Sequence, residues 1–425
     1  MADSLELEEL SISEKNAKRQ KNNFQVEVRL KKTVPKSEAV SRTNEVITFV
    51  NSLENIRNWK SIDLPHQEAQ ISNLIEKLII GTSQINDGDK IDVKNFKNSN
   101  NIHFYKLNTD GPLSQNLDEE ENIIGSQLWQ LPCTEFENIW ENLIYDSQLK
   151  NEIMSYIYAL VHLSEKHVNS KIINVNRLIL LVGPPGTGKT SLCKGLAQHL
   201  AIRLNDRYTH SMMVEINSHS LFSKWFSESG KLVQKMFDQI DELAEDPKSM
   251  VFVLIDEVES LGMCREASGS RAEPADAIRA VNALLTQIDR IRRRDNVLIL
   301  CTSNLENSLD RALVDRADIV KHVGEPSTLA LFSMLKSCIM EMIRIGVVQL
   351  ENDEEIPDDI LAYDEIPTNS LVLFKIAQSA HGLSGRAISM LPTLVYSKSL
   401  DETLTLTNCF ELFAECVEER KMRKK

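Results

Sequence analysis

The fold is decided by the stretch RLILLVGPPGTGKTSLCKGLAQHL at residues 177–200. An apolar run leads into a glycine-rich turn, and a segment with helical spacing follows at once. The turn, residues 183–190, matches the pattern G-x-x-x-x-G-K-[ST], whose glycines let backbone N–H groups point at phosphate oxygens. The positive end of the following helix favours the same anion. This order of strand, turn and helix predicts a nucleotide phosphate site in an α/β domain.

The turn and the residue after it supply the predicted contacts to the nucleotide. We expect the ammonium of Lys189 to contact the β- and γ-phosphates and the hydroxyl of Thr190 to bind Mg²⁺. ATP and Mg²⁺ are therefore the predicted cofactors. The predicted phosphate-binding residues are Gly183, Pro184, Pro185, Gly186, Thr187, Gly188, Lys189, Thr190 and Ser191.

Two further apolar runs end in polar residues that suit the same site. MVFVLI (250–255) is followed by Asp256 and Glu257, and NVLILC (296–301) leads to Asn304. The carboxyl ends of parallel strands meet at one edge of a sheet, where ligands of open α/β folds bind. We predict that Asp256 holds Mg²⁺ through water, while Glu257 and Asn304 position the water that attacks the γ-phosphate. For Asn304 the alternative is an ordinary turn-forming role.

The chain divides into a nucleotide-binding region and a helical carboxyl end. The three apolar runs are continuous rather than alternating, as in parallel strands that are buried on both faces. We therefore predict a doubly wound parallel α/β sheet over residues 128–325. Helical spacing of apolar residues then predicts a small helical domain over 326–425.

A separate small domain is predicted ahead of the nucleotide-binding region. FQVEVRL (24–30) and VITFV (46–50) indicate strands, and AQISNLIEKLII (69–80) indicates a helix. We therefore predict a mixed α/β domain over residues 21–107. Gly, Pro, Asn and acidic residues cluster after it, which predicts a linker over residues 108–127.

Composition limits the partners that the chain can have. Its formal net charge of −14 argues against nucleic acid, which binds broad basic surfaces. Residues 1–20 are charged and predict a flexible tail rather than a secretory signal. No uncharged apolar run reaches the roughly 18 residues that span a bilayer, so we expect no membrane partner. These features predict a protein of the nucleus and cytoplasm.

Taken together, these motifs resemble those of the AAA+ ATPases, and the resemblance covers residues 131–425. NSLDRALVDRADIV (307–320) is similar to the family's second region of homology, which ends in an arginine finger. The resemblance implies that Arg316 stabilises transition-state charge on the nucleotide of a neighbouring subunit. Arg311 is the alternative finger, and a surface salt bridge is the alternative role for Arg316.

The helical domain contains one further motif of the family. GLSGR (382–386) resembles its sensor 2 motif, which implies that Arg386 reaches back to the nucleotide. Many protein-remodelling members of the AAA+ family have no arginine at this position. Its presence therefore limits the subfamilies that the chain can resemble. An N-cap role for Ser384 is compatible with this interpretation.

Another segment resembles the first pore loop of ring-shaped unfoldases, SHSLFSKWFSESGKLVQKMF (218–237). The resemblance implies that Trp225, flanked by Lys224 and Phe226, grips an extended polypeptide by apolar contact. The alternative is a tryptophan packed in the core. A second pore loop is predicted in CREASGSRAEPAD (264–276).

The closest resemblance is to the family of the pachytene checkpoint ATPase, also called thyroid-receptor-interacting protein 13. It is carried by LPCTEFENIWENLIYDSQLK (131–150), SKWFSESGKLV (223–233), LVDRAD (313–318) and GLSGR. The resemblance implies a homo-hexamer that, with a HORMA-type adaptor, converts or disassembles HORMA-domain proteins. It also implies a role in the spindle checkpoint and on meiotic chromosomes, with chromosomes or kinetochores as further locations.

Three other functions compete with this one. A microtubule-severing ATPase shares the SKWFSESGKLV segment, but the acidic residues 118–121 replace the basic linker that acidic tubulin tails would favour. A scaffold that uses ATP only as a switch does not need the set Glu257, Asn304 and Arg316. A DNA-loading AAA+ enzyme is favoured only by Arg386 and by the cluster Arg292 to Arg294, and the acidic composition argues against it.

Overall fold

The protein folds around four apolar cores, one in the N-terminal domain, one on each face of a large sheet and one in the carboxyl-terminal lid. No helix among the described residues is long and apolar enough to cross a bilayer. The structure is a computed structural model, and it describes residues 24–62, 69–82, 90–94, 96–118, 123–146, 148–166, 168–169, 172–173, 175–217, 229–259, 274–305, 309–350, 368–399 and 402–424.

The N-terminal domain is a four-stranded sheet with short helices, which confirms the predicted mixed α/β class. Its strand order is β3-β4-β1-β6, with β1 antiparallel to β4 and parallel to β6. A separate antiparallel pair joins β2 to β5. The elements are β1 (Gln25–Leu30), α1 (Lys36–Ser41), α2 (Thr43–Ser52), β2 (Ile56–Arg57), β3 (Lys60–Ile62), α3 (Ala69–Ser72), β4 (Ile75–Gly81), β5 (Lys90–Ile91) and β6 (Ile102–Tyr105).

Two of the predicted elements in this domain were wrong. VITFV (46–50) lies in helix α2, because Val46, Phe49 and Val50 are buried at helical rather than alternating spacing. The segment predicted as a helix over 69–80 is helical only in α3 and continues as β4. The apolar end of that segment is buried in the sheet, where consecutive residues face apolar surroundings on both sides.

The large domain is built on a seven-stranded sheet of order β13-β9-β12-β11-β10-β8-β7. The five strands from β13 to β10 are parallel, which confirms the predicted fold class. The elements are β7 (Leu113–Asp118), β8 (Ile123–Leu131), α4 (Ile139–Asn142), α5 (Leu149–Glu165), β9 (Leu178–Val182), α6 (Lys189–Arg203), β10 (His210–Asn217), α7 (Ser229–Leu243), β11 (Ser249–Asp256), α8 (Pro274–Ile291), β12 (Val297–Ser303), α9 (Arg311–Val314) and β13 (Ile319–His322).

The linker predicted over residues 108–127 is instead part of this sheet. Strands β7 and β8 pair antiparallel, and β8 pairs antiparallel with β10, where Ser126 lies opposite Ile216. Trp129 and Leu131 are buried while the residues beside them are more exposed, so β8 has one apolar face. The sequence did not predict β8 as a strand, because its other face has polar residues and acidic residues lie between β7 and β8.

The carboxyl-terminal lid is helical, as predicted. Leu335 and Phe413 are fully buried in its core. Asp146, just before α5, accepts hydrogen bonds from the backbone N–H of Ser327 at 2.8 Å and from its hydroxyl, which ties the start of the lid to the large domain. The elements are α10 (Thr328–Arg344), β14 (Val348–Gln349), α11 (Thr368–Ser379), α12 (Gly385–Ser389), α13 (Leu391–Lys398), β15 (Leu404–Thr405) and α14 (Leu406–Lys424).

A buried ionic cluster joins the N-terminal domain to the far end of α6. Glu27 of β1 accepts from Arg203 Nε at 2.6 Å, and the same oxygen, Oε1, lies 2.8 Å from His199 Nδ1. The second ring nitrogen of His199 lies 3.7 Å from Glu141. The guanidinium of Arg203 also stacks over Trp59, with 4.1 Å between its central carbon and the ring centroid. We call these residues the junction cluster.

Candidate nucleotide site

The phosphate turn follows β9 and runs directly into α6. Its glycines permit conformations that other residues avoid. Gly188 has φ +89° and precedes the first residue of α6. At Gly183 a Cβ atom would lie 2.1 Å from the carbonyl oxygen of Val323, so the close approach of these two backbones requires glycine. The sequence motif and the fold agree on a tight anion-binding loop.

Lys189 is the first residue of α6 and is only 5% exposed. Its ammonium donates to the carbonyl oxygens of Gly183 and Pro184, both at 2.8 Å. Burial lowers the pKa of Lys189, although the carboxylates of Glu259 and Asp256 oppose that effect. The ammonium is thus held by neutral oxygens of the loop, and a phosphate in the loop would supply the opposite charge.

The two predicted magnesium ligands lie within hydrogen-bonding distance of each other. The hydroxyl of Thr190 donates to Asp256 Oδ1 at 2.8 Å, and the hydroxyl of Thr302 donates to the same oxygen. A hydroxyl and a carboxylate are hard oxygen donors, which Mg²⁺ prefers together with water and phosphate oxygens. The residues present therefore fit Mg²⁺.

Glu257 follows β11 in a strained conformation. Its φ of +58° is in the left-handed region, which is uncommon for residues other than glycine and occurs often at functional sites. Its backbone N–H donates to Thr302 Oγ1 at 3.3 Å, and its side chain is exposed. The strand end thus presents the carboxylate away from the core, where a water molecule can reach it.

Asn304 is held by a carboxylate that the sequence motifs did not indicate. Its backbone N–H and its side-chain amide nitrogen both donate to Glu259 Oε1, at 3.2 and 3.0 Å. Glu259 is buried two residues beyond Glu257. The only sequence signal for it is a third carboxylate in the run from Asp256 to Glu259, and such runs are common in exposed turns.

The lid brings Arg386 to the phosphate turn. The backbone N–H of Arg386 donates to the carbonyl oxygen of Gly186 at 3.2 Å. The hydroxyl of Ser384 caps α12 by accepting from the N–H of Ala387 at 3.4 Å. The positive charge of Arg386 contributes to the lowered pKa of Lys189, so the two cations act on the same site.

A cavity that sequence reasoning did not predict adjoins the phosphate turn. It lies between the large domain and the lid. Tyr145 lies on one wall, and its hydroxyl donates to the carbonyl oxygen of Gly188 at 3.3 Å. Its lining residues are Ile144, Tyr145, Asp146, Leu149, Thr187, His322, Val323, Gly324, Glu325, Pro326, Met334 and Gly385. The mixture of apolar and aromatic groups beside a phosphate turn suits a planar base.

The two candidate arginine fingers differ in their contacts. Arg316 forms a bidentate ion pair with Asp289 of α8, at 3.0 and 2.8 Å, and also donates to the carbonyl oxygen of Ala312. The hydrogen bonds to Asp289 raise the pKa of Arg316. Arg311 is exposed at the start of α9 and has no ion pair within the part of the chain that the structure describes. Among the described residues, no hydrogen bond or ion pair joins either side chain to the phosphate turn of its own chain.

Comparison with known proteins places all three domains. A model of the Pch2 N-terminal domain matches residues 20–107, one of the ATPase family associated with various cellular activities (AAA) matches 179–325, and one of the TRIP13-like AAA+ ATPase lid C-terminal domain matches 327–421. The putative pachytene checkpoint protein 2 of Caenorhabditis elegans is 66% identical over 416 residues, which cover 94% of this chain and 97% of the relative. The chain belongs to the pachytene checkpoint protein 2 family of AAA ATPases. The predicted resemblance is confirmed.

One solved structure agrees with this membership, and a second shares the fold. The structure of C. elegans PCH-2 superposes with a TM-score of 0.83 at 62% identity, covering 94% of this chain and 100% of that one. A chain of the E. coli MS115-1 HORMA:CdnC:Trip13 complex shares the fold, with a TM-score of 0.52 at 17% identity over 68% of this chain and 94% of that chain. The pachytene checkpoint family is one of ATPases, so nucleotide binding follows for the site described above.

The predicted substrate-gripping residues Lys224, Trp225 and Phe226 lie outside the described residues. The same holds for most of the second predicted pore loop, since the structure describes the chain again only from Pro274 onward. Their roles remain predictions from the family resemblance.

Proposed function

We propose that this chain is an ATP-driven protein remodeller that works as a homo-hexamer on HORMA-domain proteins, together with a HORMA-type adaptor. The observation that supports it most is the meeting of the phosphate turn, Asp256, Asn304 and the lid residue Arg386 at one edge of the sheet. The proposed setting is control of the spindle checkpoint and of the meiotic chromosome axis, in the nucleus and cytoplasm.

ATP binds with its phosphates in the turn and its base in the adjoining cavity. The backbone N–H groups of residues 183–190 and the ammonium of Lys189 bind the phosphate oxygens. Thr190, and Asp256 through water, would hold Mg²⁺, and the ion would supply positive charge near the β- and γ-phosphates. Tyr145 and Met334 lie on the walls of the cavity that receives the base.

Hydrolysis needs a positioned water and stabilised charge rather than a strong base. Glu257 orients the attacking water and accepts its proton, and Asn304 holds the water from the next strand. Water adds to the γ-phosphorus as the bond to the ADP oxygen breaks. Arg316 of a neighbouring subunit stabilises the charge that spreads over the γ-phosphate oxygens.

The contact between the lid and the phosphate turn couples ATP hydrolysis to movement of the lid. The backbone hydrogen bond between Arg386 and Gly186 joins the lid to the loop that holds the phosphates. When the γ-phosphate leaves, the loop and Arg386 lose a shared anion, and the lid can rotate against the large domain. In a ring this rotation moves the pore loops, and with them the polypeptide that Trp225 grips.

The choice of HORMA substrates rests on the family and on one structural neighbour. The N-terminal domain matches the family's own N-terminal model, which favours a family-specific partner. The E. coli Trip13 of the same fold is described in a complex with a HORMA protein. The N-terminal domain is therefore the proposed docking module for adaptor and substrate.

A substrate trap tests this function. The Glu257→Gln variant, loaded with ATP and Mg²⁺, is incubated in nuclear extract, and mass spectrometry identifies the proteins retained on it. HORMA-domain proteins and an adaptor should be enriched over a Lys189→Ala control, which lacks the phosphate-binding ammonium. Enrichment of tubulin would point to microtubule severing instead, and retention of neither class would refute the proposed substrate.

A further inference from the structure

Glu259 is a buried carboxylate whose two oxygens are used differently. Oε1 accepts both hydrogen bonds from Asn304, one from the backbone and one from the side-chain amide. Oε2 is buried and has no hydrogen-bond partner in the described part of the chain. The residue is only 6% exposed. Burying a carboxylate this way costs stability, so a structural role alone gives a weak account of it.

The chemistry of the contact fixes the orientation of the Asn304 amide. An ionised carboxylate only accepts hydrogen bonds, so the amide nitrogen and not the amide oxygen must face Glu259. The backbone N–H of Asn304, bound to the same oxygen, fixes the start of the side chain. The amide oxygen of Asn304 is therefore turned away from Glu259 and is left to accept a hydrogen bond from another group.

Glu259 also lies within electrostatic reach of the phosphate site. Its charge opposes the effect of burial on the pKa of Lys189, as does that of Asp256. An acceptor oxygen on Asn304 is useful in this place, because a water that attacks phosphorus must be held by acceptors for its hydrogens.

We propose that Glu259 is a positioning residue for ATP hydrolysis, which fixes Asn304 so that its amide oxygen accepts a hydrogen bond from the attacking water. The inference rests on the proposed hydrolysis at this site and adds to it a residue outside the recognised motifs. Glu259 acts through Asn304 and touches neither nucleotide nor water.

A matched pair of variants separates the contact from the side chain's bulk. Glu259→Gln keeps an acceptor oxygen at the same reach, whereas Glu259→Met keeps the length and removes the acceptor. We expect kcat for ATP hydrolysis to fall about 10- to 100-fold in the methionine variant, since small errors of position are costly. The glutamine variant should stay within about threefold of the unmodified protein, and both should keep their affinity for ATP within about threefold.

The outcomes are distinct for the two hypotheses. If the unmodified protein hydrolyses no ATP, the proposed function fails. If it does and the methionine variant matches it, only the role of Glu259 fails. A glutamine variant as slow as the methionine variant would also overturn the proposal, because it retains the acceptor oxygen.

A double-mutant cycle adds a readout that a merely structural role would not produce. Asn304→Ala and Glu259→Met together should be no slower than the slower single variant, because the two residues act as a unit. Losses that multiply would overturn the proposal. Should the methionine variant fail to fold, Glu259→Asp is tested in its place. Its carboxylate is one methylene short of Asn304, so kcat should fall about tenfold. An unchanged kcat would refute the positioning role of Glu259.

Discussion

Helix α6 has buried positive charge at both ends, but the groups that contact this charge differ between the two ends. At its start, Lys189 donates to two carbonyl oxygens of the phosphate turn and forms no ion pair with the described residues. At its far end, about 20 Å away at the usual helical rise, His199 and Arg203 contact the carboxylate of Glu27. The junction end is neutralised within the chain, whereas the nucleotide end is built to be neutralised by a ligand.

This difference separates two uses of buried charge. A buried ion pair that is complete in the chain fixes the geometry between two domains, and removal of one partner leaves the other unpaired. A buried cation held by neutral oxygens instead stores binding energy for an anion. Substitutions at the junction should therefore change stability, while substitutions at the nucleotide site should change turnover.

Arg316 combines the features of the two ends of α6, since it has an ion pair within its chain and is also predicted to contact a nucleotide. It therefore gives the sharpest test of the difference between those ends. It is paired within its chain through Asp289, yet the family resemblance assigns it to a neighbour's nucleotide. We expect Arg316→Ala to lower ATP turnover about 1,000-fold, as loss of an arginine finger does. Because the ion pair is partly exposed, the free energy of unfolding should change by only about 0–1 kcal/mol. Phosphate release and denaturant titration measure the two effects.

Mixed subunits show whether the finger acts between chains. Arg316→Ala subunits mixed with Lys189→Ala subunits should regain part of the turnover, because an intact phosphate turn can then meet an intact finger. Failure to regain activity at any ratio would argue against shared sites. Arg311→Ala is the matched control, and a larger loss of turnover there would move the finger to Arg311.

Removal of Glu27 should produce the largest change in stability. Glu27→Ala leaves His199 and Arg203 buried without their carboxylate, which is expected to cost about 3–5 kcal/mol. Tryptophan fluorescence during denaturant unfolding reports the change, since Trp59 packs against Arg203. Glu38→Ala, in an exposed ion pair on α1, is the control and should change stability by less than about 0.5 kcal/mol.

The Glu27→Ala variant also tests whether the two ends of α6 are independent. If they are, the Glu27→Ala protein should bind ATP with the same affinity as the unmodified protein under conditions in which both are folded. A clear loss of affinity would show that the junction positions the phosphate turn through α6. The separation into a stability end and a ligand end would then be wrong.

At the nucleotide end, Glu257→Gln should show the opposite pattern. Turnover is expected to fall about 100-fold or more because the attacking water loses its acceptor, while ATP binding persists. The side chain is exposed, so stability should change by less than about 0.5 kcal/mol. Fluorescent-nucleotide binding and phosphate release measure both, with exposed Glu245→Gln as the control. Retained turnover would show that another group of the site activates the water.

The sequence was informative at the nucleotide end because the chemistry there is local. Eight consecutive residues, 183–190, supply the loop, and strand ends bring in the rest. The junction cluster unites residues 172 positions apart, and a lone Glu27 in a strand carries no local sign of its partners. Glu259 escaped notice for the same reason, since its partner Asn304 is 45 positions away, just after the end of β12. Beta-branched composition also misled at residues 46–50, where helical spacing of buried residues decided the structure.

The smallest predicted effect is a pH dependence that belongs to the junction alone. Burial would lower the pKa of His199, but Glu27 and Glu141 outweigh it and raise the pKa despite the charge of Arg203. A raised pKa in the folded state means that protonated His199 contributes stability below the unfolded value of 6.5, and that this contribution is lost as pH rises through the folded pKa.

Glu27 sets the acidic limit of the same effect. Burial would raise its pKa, but His199 and Arg203 lower it to about 2, so its contribution is complete above about 4.5 and is lost only as pH falls toward 2. The melting temperature should therefore fall as the pH rises above 6.5 and through the raised pKa of His199. His199→Gln should flatten that fall. His162→Gln, at an exposed histidine of α5, should leave it unchanged. A slope that persists in His199→Gln would show that the junction histidine is neutral in the folded protein.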